Sequence, residues 1–243
     1  MNSTNFYLNT PPATPTLTDK YTDLSVGTDS IANGKSLDDY YQLLNINFVH
    51  SALMPNASKI KANAAFTWPQ VHFIIATNRL ELFARSSAQT KQYLEFKHDL
   101  KERNVSILDH ILNEELKWKI EDLREEGDIF AHESDVKILY NKFPYYFEED
   151  VSHLCVWSKV RIPTDPNSDV GDISEETRQI IRKYIENTFI KPLGITWDDV
   201  EWFKNWTSLQ SVRSISHIHV LIRGGDKKKI EEMIETGGVV KST

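Results

Sequence analysis

Cysteine occurs once in the 243 residues, at Cys155. A single thiol excludes an internal disulfide and a cysteine-rich zinc site. It also fits a reducing compartment. No run of about 18 apolar residues is present, so no membrane-spanning helix is expected. The opening MNSTNFYLNTPP lacks the charged-then-apolar order of a secretory signal. The Asn-x-Ser/Thr triplets at Asn2, Asn56, Asn104 and Asn205 are therefore read as chance. A basic surplus is lacking too. Lys plus Arg number 28 against 35 Asp plus Glu, a net charge of −7. That balance speaks against a general nucleic-acid binder and leaves room for a local basic pocket. What is present, 40% hydrophobic and 26% charged residues, suits a soluble globule with a sizeable core. The expectation is a cytoplasmic protein with neither a nucleic-acid nor a membrane partner.

Ser, Thr, Asn and Pro supply 16 of the first 30 residues. Such a stretch cannot bury enough apolar surface to offset its ordering entropy, so 1–34 reads as a disordered tail. Its hydroxyls offer phosphorylation sites, although an inert tail is the plainer reading. The rest, 35–238, reads as one α+β domain, mainly helical over 35–130 and a sheet with helices over 131–238, with 239–243 frayed. Ser36 opens a first helix carrying Leu37, Tyr40, Tyr41 and Leu44. Thr67-Trp68-Pro69-Gln70 has the form of a capping box with proline in the first turn. Val71, Ile74, Ile75 and Leu82 form its apolar stripe. Helical spacing continues over 87–102 and 105–126, where Leu108, Ile111, Leu112 and Leu116 share a face. Strands are expected at 136–140, 153–158 and 215–222. Ser174 caps a helix with the stripe Ile180, Ile181, Tyr184, Ile185 and Phe189, stopped by Pro192 and Gly194. Asp226 caps a last helix ended at Gly237.

The segment most able to carry chemistry is Ser216-His217-Ile218-His219-Val220-Leu221-Ile222-Arg223. Strand alternation places His217, His219 and Arg223 on one face. Two imidazoles at i and i+2 can share a phosphate or a metal, and Arg223 can hold a phosphate oxygen in a bidentate manner. A half-exposed strand that happens to carry two histidines is the bland alternative. Trp202-Phe203-Lys204-Asn205-Trp206 could stack on a base or a sugar with Lys204 near a phosphate, or could pack a core. Arg79 and Arg85 read as surface or ion-paired residues. The acidic run 114–126 reads as a solvated helix face. A three-histidine metal site of His153, His217 and His219 is conceivable. Cys155 shares the His153 face and reads as a small core hydrophobe rather than a nucleophile.

Asn141-Lys142-Phe143-Pro144, His153-Leu154-Cys155-Val156, Gln210-Ser211-Val212 and His217-Ile218-His219-Val220 occur in the order seen in the histidine-triad superfamily of nucleotide hydrolases and transferases. The last hundred residues resemble that superfamily. The resemblance implies a phospho- or nucleotidyl-histidine resolved by water or a second substrate. It implies His217 as nucleophile in the histidine-triad register and His219 in that of the galactose-1-phosphate uridylyltransferase type. Ile215 stands where the first triad histidine would be.

A wider set of marks runs through the chain: Phe66-Thr67-Trp68-Pro69, Asn78-Arg79-Leu80-Glu81, Asp135-Val136-Lys137-Ile138-Leu139, Trp157-Ser158-Lys159 and Trp202-Phe203-Lys204-Asn205-Trp206. With these the chain resembles the fungal N-acetylglucosamine-induced protein family, a family filed as a domain of unknown function. That resemblance implies a cytoplasmic role in amino-sugar use, hence in UDP-N-acetylglucosamine and chitin supply. The combined expectation is an α+β protein with an antiparallel sheet of histidine-triad type that binds a small phosphorylated sugar or a nucleotide sugar. His217 and His219 would act on the phosphate. His153, Asn141, Asn205, Trp206, Lys204 and Arg223 would bind the ligand, with no cofactor or metal required. A non-catalytic regulator or interaction protein responding to N-acetylglucosamine is the alternative.

Overall fold

The computed structural model describes residues 62–237. The tail at 1–34, the helix opened by Ser36 and the frayed end at 239–243 lie outside those residues. The described chain is α+β, as the sequence pattern indicates. Its centre is a four-stranded antiparallel sheet in the order β1 (Val136–Tyr140), β2 (Val151–Ser158), β4 (Ser216–Arg223), β3 (Val200–Phe203). The β2–β4 register sets Trp157 opposite His217, Cys155 opposite His219 and His153 opposite Leu221. β3 then sets Phe203 opposite His219.

Strand alternation sorts these residues. Ile138, Leu154, Val156, Ile218, Val220, Ile222, Val200 and Trp202 point to one face and join the largest core cluster. Helix α4 (Glu175–Ile185), capped by Ser174, and helix α6 (Lys227–Thr236), capped by Asp226, cover that face. They contribute Ile181, Ile185, Ile230 and Met233. Phe189 in the same cluster is fully buried. Truncating it leaves an aromatic-sized void, so Phe189→Ala is expected to cost about 3–5 kcal/mol. Urea unfolding would show this as a lower midpoint at an unchanged slope.

The opposite face carries His153, Cys155, Trp157, His217, His219 and Phe203, and it too is covered. Leu112, Leu116, Trp118, Val212 and Ile215 pack on Cys155 and Trp157. Phe83, Tyr145 and Phe147 close over His153 and Phe203. The β4 strand is consequently buried at every position from His217 to Leu221 and on to Ile222. The half-exposed strand considered from the sequence does not exist here. An antiparallel sheet usually leaves one face to water, whereas here helices and aromatic loops seal both.

Helix α1 (Trp68–Ala76) starts as expected, with the Thr67 N–H donating to Gln70 Oε1 at 2.9 Å. Its buried stripe is Trp68, Val71 and Ile74. Leu82 is buried from a separate turn beyond Asn78, whose left-handed backbone ends the helix. Helix α2 (Ser87–Glu102) carries a second capping box, Ser86 with Gln89.

Three expectations change. The span 105–126 is not one helix. It is the short helix α3 (Ile107–His110) followed by a widened π-turn, Ile111–Leu116, which Lys117 ends in a left-handed conformation. Leu112 and Leu116 bury as expected, and His110 joins them at 5% exposure. Ile180 lies outside the α4 stripe at 44% exposure, because Thr177, Ile181 and Ile185 at fourfold spacing take the core side. Pro192 does not stop the chain's helical course. A π-turn at Glu186–Ile190 leads directly into helix α5 (Lys191–Leu193), which contains Pro192. Gly194, at φ 67°, makes the stop.

Candidate functional site

Four residues named from the sequence come together by direct hydrogen bonds. Asn141 leaves the end of β1, and its backbone N–H donates to the His153 carbonyl at 2.8 Å. Its side-chain oxygen accepts the Phe143 N–H at 3.0 Å, which fixes the amide orientation. Asn141 Nδ2 therefore faces His153 Nε2 at 3.1 Å as a donor. His153 Nε2 accepts, so the ring proton of His153 resides on Nδ1. His219 Nδ1 lies 2.9 Å from His153 Nε2 and donates to it. His219 Nε2 then accepts from Asn205 Nδ2 at 3.2 Å. The result is a polar string, Asn141–His153–His219–Asn205, laid across β1, β2, β4 and the end of β3. Gln210, from the Gln-Ser-Val segment, holds the Asn205 carbonyl at 2.7 Å.

The string is almost dry. His153 and His219 are each 5% exposed and Asn205 is 6% exposed. Phe203 stacks on the His219 ring at 4.7 Å between centroids and 13° between planes. Cys155 Sγ stands 3.6 Å from His219 Nδ1. Two polar atoms of the string, His153 Nδ1 and Asn205 Oδ1, are buried with no hydrogen-bond partner among the described residues. Such atoms are costly and uncommon in folded proteins.

Burial sets the electrostatics. It pushes His153 down to about 3, with the Arg85 cation adding to the effect. It holds His219 well below 6.5, and His153, His217 and Arg85 act in the same direction. It pushes the Cys155 thiol up to about 12 against the pull of Arg85. All three groups are neutral at physiological pH. Desolvation of a charged form in a low-dielectric interior is the common cause.

His217 sits beside the string rather than in it. Its Nδ1–H donates to the Ile215 carbonyl at 3.2 Å, and its ring packs on Trp157 at 4.3 Å. Burial lowers it to about 4, the Ile215 bond opposing and Lys204 reinforcing. The His217 and His219 rings are 5.3 Å apart and edge to face.

The remaining sequence candidates have partners elsewhere. Arg223 binds the Asp199 carboxylate at 3.2 Å and lies over Trp68. The Trp206 indole N–H donates to Asn78 Oδ1 at 3.1 Å. Lys204 is 6% exposed, and burial depresses its ammonium while Asp172 supports it. Of the aromatic pentapeptide, Trp202 belongs to the core and Phe203 to the site.

Three members of the site were not chosen from the sequence. Cys155 is a neighbour of His219 rather than a mere core filler. Tyr145 packs near both histidine rings, at 5.9 Å from His153 and 6.5 Å from His219. Arg85 donates from Nε to the Phe143 carbonyl at 3.0 Å and lies 5.2 Å from the Tyr145 ring centre. It carries the positive charge nearest in effect to the string. Alternation on β2 was the available signal for Cys155. Arg85 and Tyr145 come from loops, where no spacing rule predicts the contact.

Chemically, the arrangement is a pair of neutral imidazoles, hydrogen-bonded to each other and oriented by an amide. A histidine held in this way can act as a nucleophile. The two imidazoles and the thiol also form a set of soft donors.

The family model described as a protein of unknown function, DUF3605, matches residues 67–223. That stretch runs from the cap of α1 to the last residue of β4 and contains every member of the string. The chain is 46% identical over 252 residues to N-acetylglucosamine-induced protein 1 of Candida albicans, covering 97% of this chain and 91% of that protein. It is 29% identical over 174 residues to the uncharacterized protein YPL067C of Saccharomyces cerevisiae, covering 70% of this chain and 84% of that one. Among solved structures, the crystal structure of HTC1 superposes with a TM-score of 0.56 at 26% identity. It covers 70% of this chain and 96% of that chain.

Proposed function

The chain belongs to the fungal N-acetylglucosamine-induced protein family, the DUF3605 family of unknown function, and from that premise we propose that it works in the cytoplasmic handling of N-acetylglucosamine. Its ligand is a phosphorylated amino sugar or a nucleotide sugar such as UDP-N-acetylglucosamine. The observation that carries this reading is the directly bonded, neutral pair His153–His219, oriented by Asn141. His219 Nε2 is the nucleophile once the ligand displaces the Asn205 Nδ2 that it accepts from in the free protein. Its lone pair forms the bond to phosphorus, and the bond to the leaving oxygen breaks with that oxygen keeping the electron pair. The proton stays on His219 Nδ1, and its hydrogen bond to the neutral His153 Nε2 stabilises the developing positive charge. Water or an acceptor hydroxyl later attacks phosphorus and returns His219 to the neutral state. Of the two registers open from the sequence, this geometry favours His219 over His217. The His217 ring is held by a backbone carbonyl and not by a second titratable group.

A second reading has its own support. His153, His217 and His219 are between 5% and 8% exposed. Such burial suits a binding or regulatory protein that performs no turnover.

Both readings are tested by imidazole nitrogen NMR of the full chain titrated with UDP-N-acetylglucosamine, N-acetylglucosamine 6-phosphate and free N-acetylglucosamine. The phosphorylated compounds are expected to shift the His219 and His153 resonances, and the free sugar to shift them less. Resonances unmoved by all three compounds would refute a phosphorylated amino-sugar site here.

A further inference from the structure

We propose that His153, Cys155 and His219 form a binding site for a soft, monovalent transition-metal ion, copper(I). This goes beyond the phosphate reading and stands whether or not any sugar phosphate binds. Strand geometry supplies the first argument. Cys155 and His219 are directly opposed across β2 and β4, and His153 is two residues from Cys155 on the same face. Their ligand atoms all lie within 4.8 Å of one another. His153 Nε2 is 2.9 Å and Cys155 Sγ 3.6 Å from His219 Nδ1. Ligands of one ion, each bonded at about 2.0–2.3 Å, have separations of this order. The sequence reading placed His217 as the third ligand. The structure gives its Nδ1 to the Ile215 carbonyl and puts a thiol in that place.

The orphaned amide supplies the second argument. Asn205 Oδ1 is buried and unpartnered while Nδ2 of the same amide faces His219 Nε2. An ion on His219 Nδ1 moves the ring proton to Nε2. Turning the Asn205 amide over then lets Oδ1 accept that N–H. The bound state thus supplies Asn205 Oδ1 with the donor it lacks in the free state, and Nδ2 takes the place that Oδ1 leaves. It also gives His219 the outer hydrogen-bond acceptor that metal-bound imidazoles usually have. Asn141 gives up its bond to His153 Nε2, and because Asn141 is only half-buried its Nδ2 can meet water while Oδ1 keeps the Phe143 N–H.

The donor set and the charge identify the ion. Two imidazoles and one thiolate make three soft donors without a carboxylate, the kind of set that favours copper(I). Structural zinc takes four ligands, and among the described residues this group has three. Copper(I) with one thiolate is neutral overall. A divalent ion would leave a net positive charge beside Arg85, whose cation already acts on all three residues. Binding balances simply. The thiol loses one proton to solvent, the sulfur–metal bond forms, and His219 changes tautomer without changing charge. No electron is transferred.

The test is anaerobic titration of the full chain with copper(I) in competition with a chromophoric copper(I) chelator, with zinc(II) in a parallel arm. One copper(I) per chain is expected, with zinc bound at least 100-fold more weakly. Cys155→Ser and His219→Gln, each checked by circular dichroism, should weaken copper binding at least 100-fold. X-ray absorption at the copper edge of the unmutated protein should show one sulfur and two nitrogen neighbours, and this needs no variant to fold. The proposal is overturned if the unmutated chain binds no copper(I), if both folded variants bind as well as it does, or if the absorption spectrum lacks sulfur. Tighter zinc than copper binding overturns the assignment to copper.

Discussion

Lowering the pH from 6.5 to 4.5 should strongly destabilise this protein, and the three buried histidines should account for most of the effect. His153 is pushed down to about 3, His217 to about 4, and His219 well below 6.5. In the unfolded chain each regains an ordinary value near 6.5. Between the folded and unfolded values the unfolded state binds more protons. Stability is therefore complete above pH 6.5 and is lost as the pH falls toward the folded values. Between its folded and unfolded values a histidine contributes on the order of 1 kcal/mol per pH unit, so the three together give at most about 4 kcal/mol per unit. Two such units cost up to about 8 kcal/mol, which unfolds a domain in the lower half of the ordinary range of about 5–15 kcal/mol and strongly destabilises the rest. His72 works in the opposite sense. Its bond to Glu201 raises it, so its stabilisation is present at low pH and is lost as the pH rises through its folded value. One exposed group cannot offset three buried ones. Urea unfolding between pH 7 and 5 measures the slope. A stability flat across that interval would show that the histidines are not held neutral by burial.

His219→Ala is expected to cost about 3 kcal/mol of stability, from the lost ring volume and from leaving His153 and Asn205 without their partner. A double-mutant cycle separates the parts. His219 and His153 share a 2.9 Å hydrogen bond, so their variants should couple by about 1–3 kcal/mol. His217 bonds a backbone carbonyl and stacks on Trp157. Its variant should add to that of His153 within about 0.5 kcal/mol. Equal coupling of both histidines to His153 would contradict the string as described.

The fold was readable because period and caps agree. Thr67 with Gln70, Ser174 and Asp226 mark their helix starts, and His217 to Ile222 alternates through both cores. The break at Lys117 was not readable, because a π-turn keeps apolar spacing while changing the backbone. The site was readable in part. His153, His219, Asn141 and Asn205 follow from strand alternation and motif order, which fix which residues share a face. Arg223 lies away from the string because the same alternation carries it past the covered part of the sheet to Asp199. The roles of Arg85 and Tyr145 depend on how two loops pack over the sheet. Cys155 looked inert because a buried thiol and a buried ligand are the same residue until its neighbours are known.

The central claim is that His219 acts on a phosphorylated amino sugar. Phosphorus NMR of UDP-N-acetylglucosamine and N-acetylglucosamine phosphates incubated with the full chain tests it most directly. New phosphorus signals are predicted with the unmutated protein, persisting in His217→Ala and absent in folded His219→Ala. Spectra unchanged after long incubation, or product formed equally well by His219→Ala, would contradict it.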